Sequence, residues 1–221
     1  MKFYPVFMRV AGRRCVVIGG GAVAERKVAS LLAAGARVTV VSPRLTTRLA
    51  AQVTQGAIEH LPRAYRQGDL ASAWLAYAAT NDDTLHATIA ADADAAGVPL
   101  NVVDRPQWCD FIAPSVLTRG DLTVAVSTSG GSPALARRVR EDLEHALGPE
   151  YARALTVLSR LRRHLQRQSL TSAERQRILT GLVASDLLEQ LREPDRAAVD
   201  RLLAEHVGRD VSLASLGADL Q

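Results

Sequence analysis

Three consecutive glycines, Gly19-Gly20-Gly21, follow the apolar run Val16-Val17-Ile18 and lead into Ala22-Val23-Ala24. Gly19 and Gly21 fall on the first two glycines of G-x-G-x-x-G/A, and Ala24 takes the third place, where a small side chain lets helix and sheet approach. The chemistry that this spacing serves is the holding of a pyrophosphate. The first glycine permits a tight turn and the second lets backbone come close to the anion. The N–H groups opening the next helix, at Ala22 and Val23, face it. Two further places carry chemistry. Asp104 closes the apolar run Leu100-Asn101-Val102-Val103, where an aspartate is either a turn former or a base beside a cofactor. The stretch Ser127-Thr128-Ser129-Gly130-Gly131-Ser132-Pro133 precedes Arg137, Arg138 and Arg140 and offers hydroxyls, glycines and a helix N-terminus to a second anion. Its plainer reading is a loop before a solvated basic helix.

The elements that position these residues follow from periodicity. Arg14–Ile18 reads as a buried strand, and Val23, Val28, Leu31 and Leu32 as a helix face that Gly35 ends. Arg37–Val41 then gives a second strand and completes a βαβ unit. Ser42-Pro43-Arg44 stands where such a fold reads the adenosine ribose, and no acid is there. Either Ser42 and Arg44 take the 2′-phosphate of NADP, or backbone at Pro43 and Arg44 holds an NAD ribose. Ile58–Leu61 and Trp74–Ala78 read as third and fourth strands. Asp82 or Asp83 caps a helix that Gly97 stops, and Leu100–Val103 is the fifth strand. Thr80, Asn81, Asn101 and Asp104 thus lie at the carboxyl ends of strands, where a parallel sheet binds its ligands, although Thr80 and Asn81 equally suit plain turns. Ahead of all this, Phe3, Tyr4, Val6, Phe7 and Val10 read as core packed along the sheet.

From Phe111 the pattern changes. Ile112–Leu117 and Leu122–Val126 read as a hairpin about Thr118-Arg119-Gly120-Asp121, followed by a helix over Ala134–Leu147 with Pro133 in its first turn. Beyond Gly148-Pro149 the chain turns helical. Leu155, Leu158, Leu161 and Leu165 share one face, Thr171-Ser172-Ala173-Glu174 is a capping box, and Pro194 begins another helix toward Gly208. The arginines there lack interleaved aromatics and read as a solvated face rather than a nucleic-acid surface. The fold class expected is α/β: a Rossmann-type parallel sheet (1–110), a small α+β dimerisation region (111–147) and a helical C-terminal domain (148–221).

With 48% hydrophobic residues, the 221-residue chain fills a core and disorder is excluded. No run approaches the ~18 apolar residues of a membrane span, and the first residues lack a signal-peptide core, so a cytoplasmic protein without a membrane partner is expected. Cys15 and Cys109 give neither a disulfide framework nor a zinc spacing. A net charge of +4 suits a nucleic acid or a small polyanion equally.

Five ordered motifs then carry a family resemblance: Gly19-Gly20-Gly21-x-Val23-Ala24-x-Arg26-Lys27, Ala78-Ala79-Thr80-Asn81-Asp82, Asn101-Val102-Val103-Asp104, Phe111-Ile112-x-Pro114-Ser115 and Ser127-Thr128-x-Gly130-Gly131-Ser132-Pro133. Together they resemble the precorrin-2 dehydrogenase/sirohydrochlorin ferrochelatase family, the amino-terminal part of sirohaem synthase, over essentially the whole chain. Thr128 departs from the serine of some members. Nothing beyond resembles the methyltransferase half, so the chain resembles a free-standing form or an excised half. The resemblance implies NAD as cofactor, contacted by Gly19, Gly21, Ala22, Val23, Pro43, Arg44, Thr80, Asn81, Asn101 and Val102. It implies Asp104 as the catalytic residue and Ser127, Thr128, Gly130, Ser132 and Arg137 as substrate contacts. It further implies precorrin-2 and sirohydrochlorin as substrates, ferrous iron as a substrate with no metal-ligating residues, a homodimer, and no nucleic acid. A carboxylate-rich tetrapyrrole suits the two anion-type turns. Competing readings are an NAD-sensing regulatory module without catalysis, a dehydrogenase for another small anion, a chain that dehydrogenates without inserting iron, and DNA binding.

Overall fold

Val16, Val17 and Ile18 lie in β1 (Arg14–Ile18) and Val38, Val40 and Val41 in β2 (Arg37–Val41), in a computed structural model that describes residues 2–193 and 195–220. With β3 (Glu59–Leu61), β4 (Leu75–Ala78) and β5 (Leu100–Val102) they form a parallel sheet of order β3-β2-β1-β4-β5. Successive residues of a strand point to opposite faces. Cys15 and Val17 therefore pack with Ala24, Val28 and Leu31 of α1 (Ala22–Ala33) and Leu49 of α2 (Thr47–Thr54). Val16 and Ile18 pack on the other face with Ile89, Ala90 and Ala93 of α3 (Asp83–Ala96). Burial on both faces is why these strands read as near-continuous apolar runs rather than alternating ones. Asp82 caps α3 through Thr84 N–H, and Gly97 ends it in the left-handed region at φ +62. Chain order reverses between β1 and β4, which opens the crevice where such sheets bind ligands.

The amino-terminal segment departs from expectation. Of its apolar residues only Val10 joins the core; Tyr4, Val6 and Phe7 are 80, 63 and 77% exposed. Residues 3–10 form no strand, so no pleat carries their side chains onto the sheet.

The chain divides into two compact units, Met1–Ala113 and Pro114–Gln221. Phe111 packs in the first, its ring edge-on to Tyr77 at 5.3 Å. The second opens with the antiparallel pair β6 (Ser115–Arg119) and β7 (Leu122–Val126). β6 starts three residues later than the apolar run suggested and keeps Thr118 and Arg119, because pairing continues to Arg119 opposite Leu122 and leaves only Gly120-Asp121 to turn. Helices α4 (Pro133–Ala146) and α5 (Glu150–Leu165) cover the hairpin, so its strands find partners within the chain. A helical core follows with α6 (Ser172–Val183), α7 (Leu187–Arg192), α8 (Arg196–His206) and α9 (Leu213–Leu216). The buried seam of α5 is Ala154, Val157, Leu161 and Leu165; Leu155 and Leu158 flank it half-buried, since an alanine and a valine face the neighbouring helices more closely. Thr171 and Glu174 make the expected capping box. Pro194, expected to begin a helix, lies outside the described residues; α8 is capped by Asp195, whose carboxylate accepts from Ala198 N–H at 3.0 Å.

Candidate active site

The three glycines have three different reasons to be glycine. Gly19 sits at φ +117, and a Cβ there would come within 2.2 Å of the Ala79 carbonyl at the end of β4. A Cβ on Gly20 would meet the Arg44 carbonyl at 2.0 Å. Around Gly21 nothing lies within 4 Å of an added Cβ, so its bareness serves space outside the chain rather than packing inside it. Gly21 is also the N-cap of α1 and supplies no side-chain cap. The first helical bond runs from Glu25 N–H to Gly21 O at 3.0 Å, which leaves the N–H groups of Ala22, Val23 and Ala24 to a ligand or solvent. An open cradle over a helix N-terminus fits a pyrophosphate. Pro43 and Arg44 are exposed beside it, whereas Ser42 is buried and its hydroxyl donates to Arg44 O at 2.7 Å. Ser42 is therefore spent on the turn, against the reading in which it takes a 2′-phosphate.

Next along the sheet, Thr80 Oγ1 accepts Asp82 N–H at 3.2 Å, while the Thr80 carbonyl meets Nε2 of the buried His86 at 3.2 Å. Asn81 is exposed. Ile18, Ala78 and Val102 share one row of the strand register, so the turn after β5 stands two strands, ~10 Å, from the glycine turn. Asp104 occupies that turn at φ +59 with its side chain exposed. Its backbone is held from below: Cys109 Sγ accepts Val102 N–H at 3.3 Å and donates to Val102 O at 3.1 Å. The Asn101 amide donates to Phe111 O at 2.8 Å, and the Val102 side chain is buried, so both residues serve the strand end itself. Arg105 Nη2 reaches Asp83 at 2.6 Å and ties the turn to the start of α3.

Lys27, on α1, was quoted among the motifs without a role. Its Nζ lies 5.1 Å over the Tyr77 ring. Burial, then the Arg26 charge, lower its pKa, while the charges of Asp104 and Cys109 raise it. Gly20, Lys27, His86 and Cys109 are thus the residues that sequence reasoning passed over. Gly20 alone had a local signal, the unbroken triple glycine.

In the second unit the loop 127–132 closes on itself. Thr128 Oγ1 accepts Ser132 N–H and donates to Ser132 O, both at 3.0 Å, and Ser127 Oγ accepts Ser129 N–H at 3.0 Å. Ser132 caps α4 through Leu135 N–H at 3.2 Å, and Gly130 takes φ +84. Either a serine or a threonine hydroxyl at 128 can make that closure. The basic helix beyond is electrostatically balanced: Arg137 pairs with Glu141 at 2.8 Å, Arg138 with Asp142 at 2.9 Å, and Arg140 with Glu144. The free positive charge read from Arg137, Arg138 and Arg140 is largely neutralised. Among the described residues no group of three or more His, Cys, Asp or Glu is placed to hold a metal.

Comparison with known proteins places this geometry. Residues 6–115 match a family model described as NAD(P)-binding, and residues 119–146 match the model of the sirohaem biosynthesis protein central region. With the open cradle at Gly21, the first unit is a sheet that binds a nicotinamide dinucleotide, NAD or NADP. A siroheme synthase of Thioalkalivibrio sulfidiphilus is 46% identical over 72% of this chain and 32% of its own length. That of Methylobacillus flagellatus is 36% identical over 92% of this chain and 44% of its own length. Siroheme synthase 1 of Aeromonas salmonicida is 38% identical over 99% and 48%. The chain therefore spans a third to a half of the length of these relatives. The solved structure of SirC, a precorrin-2 dehydrogenase, shares the fold at a TM-score of 0.74 and 23% identity, over 92% of this chain and 98% of that one. On these matches the chain belongs to the precorrin-2 dehydrogenase/sirohydrochlorin ferrochelatase family, the family of the sirohaem synthases.

Proposed function

We propose that this chain oxidises precorrin-2 to sirohydrochlorin with NAD, and then assists the insertion of ferrous iron to give sirohaem. The observation that carries the reading is Asp104: an exposed carboxylate in a left-handed turn at the end of β5, in the same sheet as the cradle at Gly21. Kinship with the siroheme synthases supports the choice of substrate. Removing a hydrogen pair from precorrin-2 requires one hydride and one proton to leave. When bound, NAD supplies the hydride acceptor. Asp104 takes the proton on its carboxylate. The glycine turn and the N–H groups at Ala22 and Val23 hold the pyrophosphate, Pro43 and Arg44 flank the adenosine ribose, and Thr80, Asn81, Asn101 and Val102 shape the floor toward Asp104. The commitment of Ser42 to its own turn favours NAD over NADP. Lys27 raises the positive potential around the carboxylate.

Iron enters sirohydrochlorin as pyrrole protons leave, and Asp104 serves again as their acceptor, so iron is a substrate that needs no resident cage. Ser127, Thr128, Gly130, Ser132 and Arg137 hold substrate carboxylates. The working form is a cytoplasmic homodimer formed through residues 111–147, with neither nucleic acid nor membrane as partner; no described helix is long and apolar enough to cross a membrane. The test is incubation with precorrin-2 and NAD, following sirohydrochlorin absorbance before and after ferrous ion is added. NAD binding without any sirohydrochlorin would instead assign the chain to the regulatory reading. Sirohydrochlorin that stays metal-free would leave dehydrogenation alone.

A further inference from the structure

In α4 each arginine of the basic run has a carboxylate four residues on. The carboxyl-terminal end of α5 is built the other way. Arg160, Arg163, His164 and, just past the helix, Arg167 follow at i, i+3, i+4 and i+7 and so gather on one ridge. The positions four residues on hold His164, Arg167, Gln168 and Thr171, and among the described residues none of the three arginines is paired with a carboxylate. The three arginines and His164 line one depression together with Ser215 and Leu216. Arg160 is fixed in it: Nη1 donates to Leu216 O at 3.5 Å, and a Cβ on Gly217, at φ +62, would come within 3.2 Å of that nitrogen. Cations in a last turn favour the helix dipole, which accounts for their place along α5. It does not account for stacking them on one ridge beside a depression, where like charges three and four residues apart repel.

We propose that this ridge is a binding site for a small multivalent oxyanion, one whose phosphate or carboxylate groups spread over about 10 Å, the length of seven helical residues. A single phosphate reaches only part of the row. Among the described residues no phenylalanine, tyrosine or tryptophan lines the depression, so a polynucleotide finds no broad stacking platform there. The proposal is independent of the reading of the first unit.

The test is calorimetric titration of the full chain at near-physiological salt, with saturating NAD present so that the cradle at Gly21 is filled. The probes are inorganic phosphate, tripolyphosphate and benzene-1,3,5-tricarboxylate. The expected result is one saturable site per chain, at least about tenfold tighter for tripolyphosphate or the tricarboxylate than for phosphate. Whichever of the two binds more tightly identifies the ligand's chemistry. In the double variant Arg163→Gln/Arg167→Gln, both exposed positions, affinity falls about tenfold or more, while NAD affinity and circular dichroism stay unchanged. The proposal is overturned by absence of saturable binding, by a variant that binds as the wild type does, or by a single-stranded oligonucleotide that binds more tightly than either small anion. A failure to bind NAD shows in its own titration and bears only on the first unit.

Discussion

Asp104 stands in a backbone region that costs most residues about 1–2 kcal/mol, and that aspartate and asparagine tolerate because their short polar side chains bond locally. Asparagine therefore keeps the turn while removing the base. Asp104→Asn is expected to retain folding and NAD affinity and to lose ~10²–10⁴-fold in dehydrogenation. Iron insertion, assayed with sirohydrochlorin supplied directly, falls with it if one carboxylate serves both steps. A dehydrogenation rate within about threefold of wild type, far short of that loss, moves the proton to another group. The glycines separate in the same way. Gly20→Ala forces a methyl against the Arg44 carbonyl, and overpacking of this kind costs about 1–3 kcal/mol, seen as a lower urea midpoint. An added Cβ at Gly21 meets no protein atom within 4 Å, so Gly21→Val costs only the ~1 kcal/mol of a poorer N-cap while the fold survives, and NAD affinity by calorimetry is lost; undiminished affinity would sink the placement of the pyrophosphate. Gly19 and Asp104 were legible in the sequence because a positive φ at a turn and at a strand end is a local demand, although the Ala79 carbonyl also excludes a side chain at Gly19. Gly20's demand comes from Arg44, His86's partner is the Thr80 carbonyl, and Cys109 grips Val102 across a turn. No spacing rule encodes such pairs, so these partners emerged only with the fold.

At the scale of elements, the strands nearest the glycine turn were legible to the residue because burial on both faces leaves Arg14–Ile18 and Arg37–Val41 near-continuous apolar runs, interrupted only by the hydrogen-bonded Thr39. The hairpin and α5 were not, because their limits depend on pairing and packing: Arg119 opposite Leu122 for one, the neighbours of Ala154 and Val157 for the other. The segment between β3 and β4 shows a third case, a loop without a motif that is nonetheless fastened. Arg63 grips Asp69 with two bonds of 2.7 Å, Arg66 N–H adds one of 2.8 Å, and Arg14 donates to the Asp69 carbonyl at 3.1 Å from the start of β1. The Arg63 guanidinium, with the Arg66 N–H, holds the Asp69 carboxyl below its ordinary pKa. The sign follows from proton counting. With a folded value below the unfolded ~3.9, the unfolded chain binds more protons in the interval between them. The contribution is complete above the unfolded value and drains away as pH falls through the folded one. Arg63→Gln is accordingly expected to lower the urea midpoint at pH 7 and to differ less from wild type as the pH drops below ~4. A difference independent of pH would mean that Arg63 acts by packing alone.

At the scale of the whole molecule, the question is what the hairpin region presents outward. Two strands alone are marginal and must find another sheet or chain. In the fold α4 and α5 supply that cover on one side, which weakens necessity as a ground for a dimer. A different ground replaces it. Val116, on the outward face of β6, is 46% exposed, and Leu135 and Val139, one turn apart on α4, are 54% and 37% exposed. Exposed apolar side chains on β6 and α4 mark an association surface of the hairpin region. A second copy presents the same residues, and a two-fold interface is self-complementary, so each such patch can cover its counterpart. The paired arginines and acids of α4 leave that surface nearly neutral, so charge does not oppose the contact. Light scattering at micromolar concentration is therefore expected to give twice the chain mass. Val116→Asp and Leu135→Asp would each place two like charges across the contact and shift the mass to that of a single chain, with circular dichroism unchanged because both side chains already face outward. A wild-type monomer at that concentration ends the proposal. A dimer indifferent to both substitutions moves the interface elsewhere, and the exposed Tyr4, Val6 and Phe7 of the amino-terminal segment are then the next apolar group to substitute.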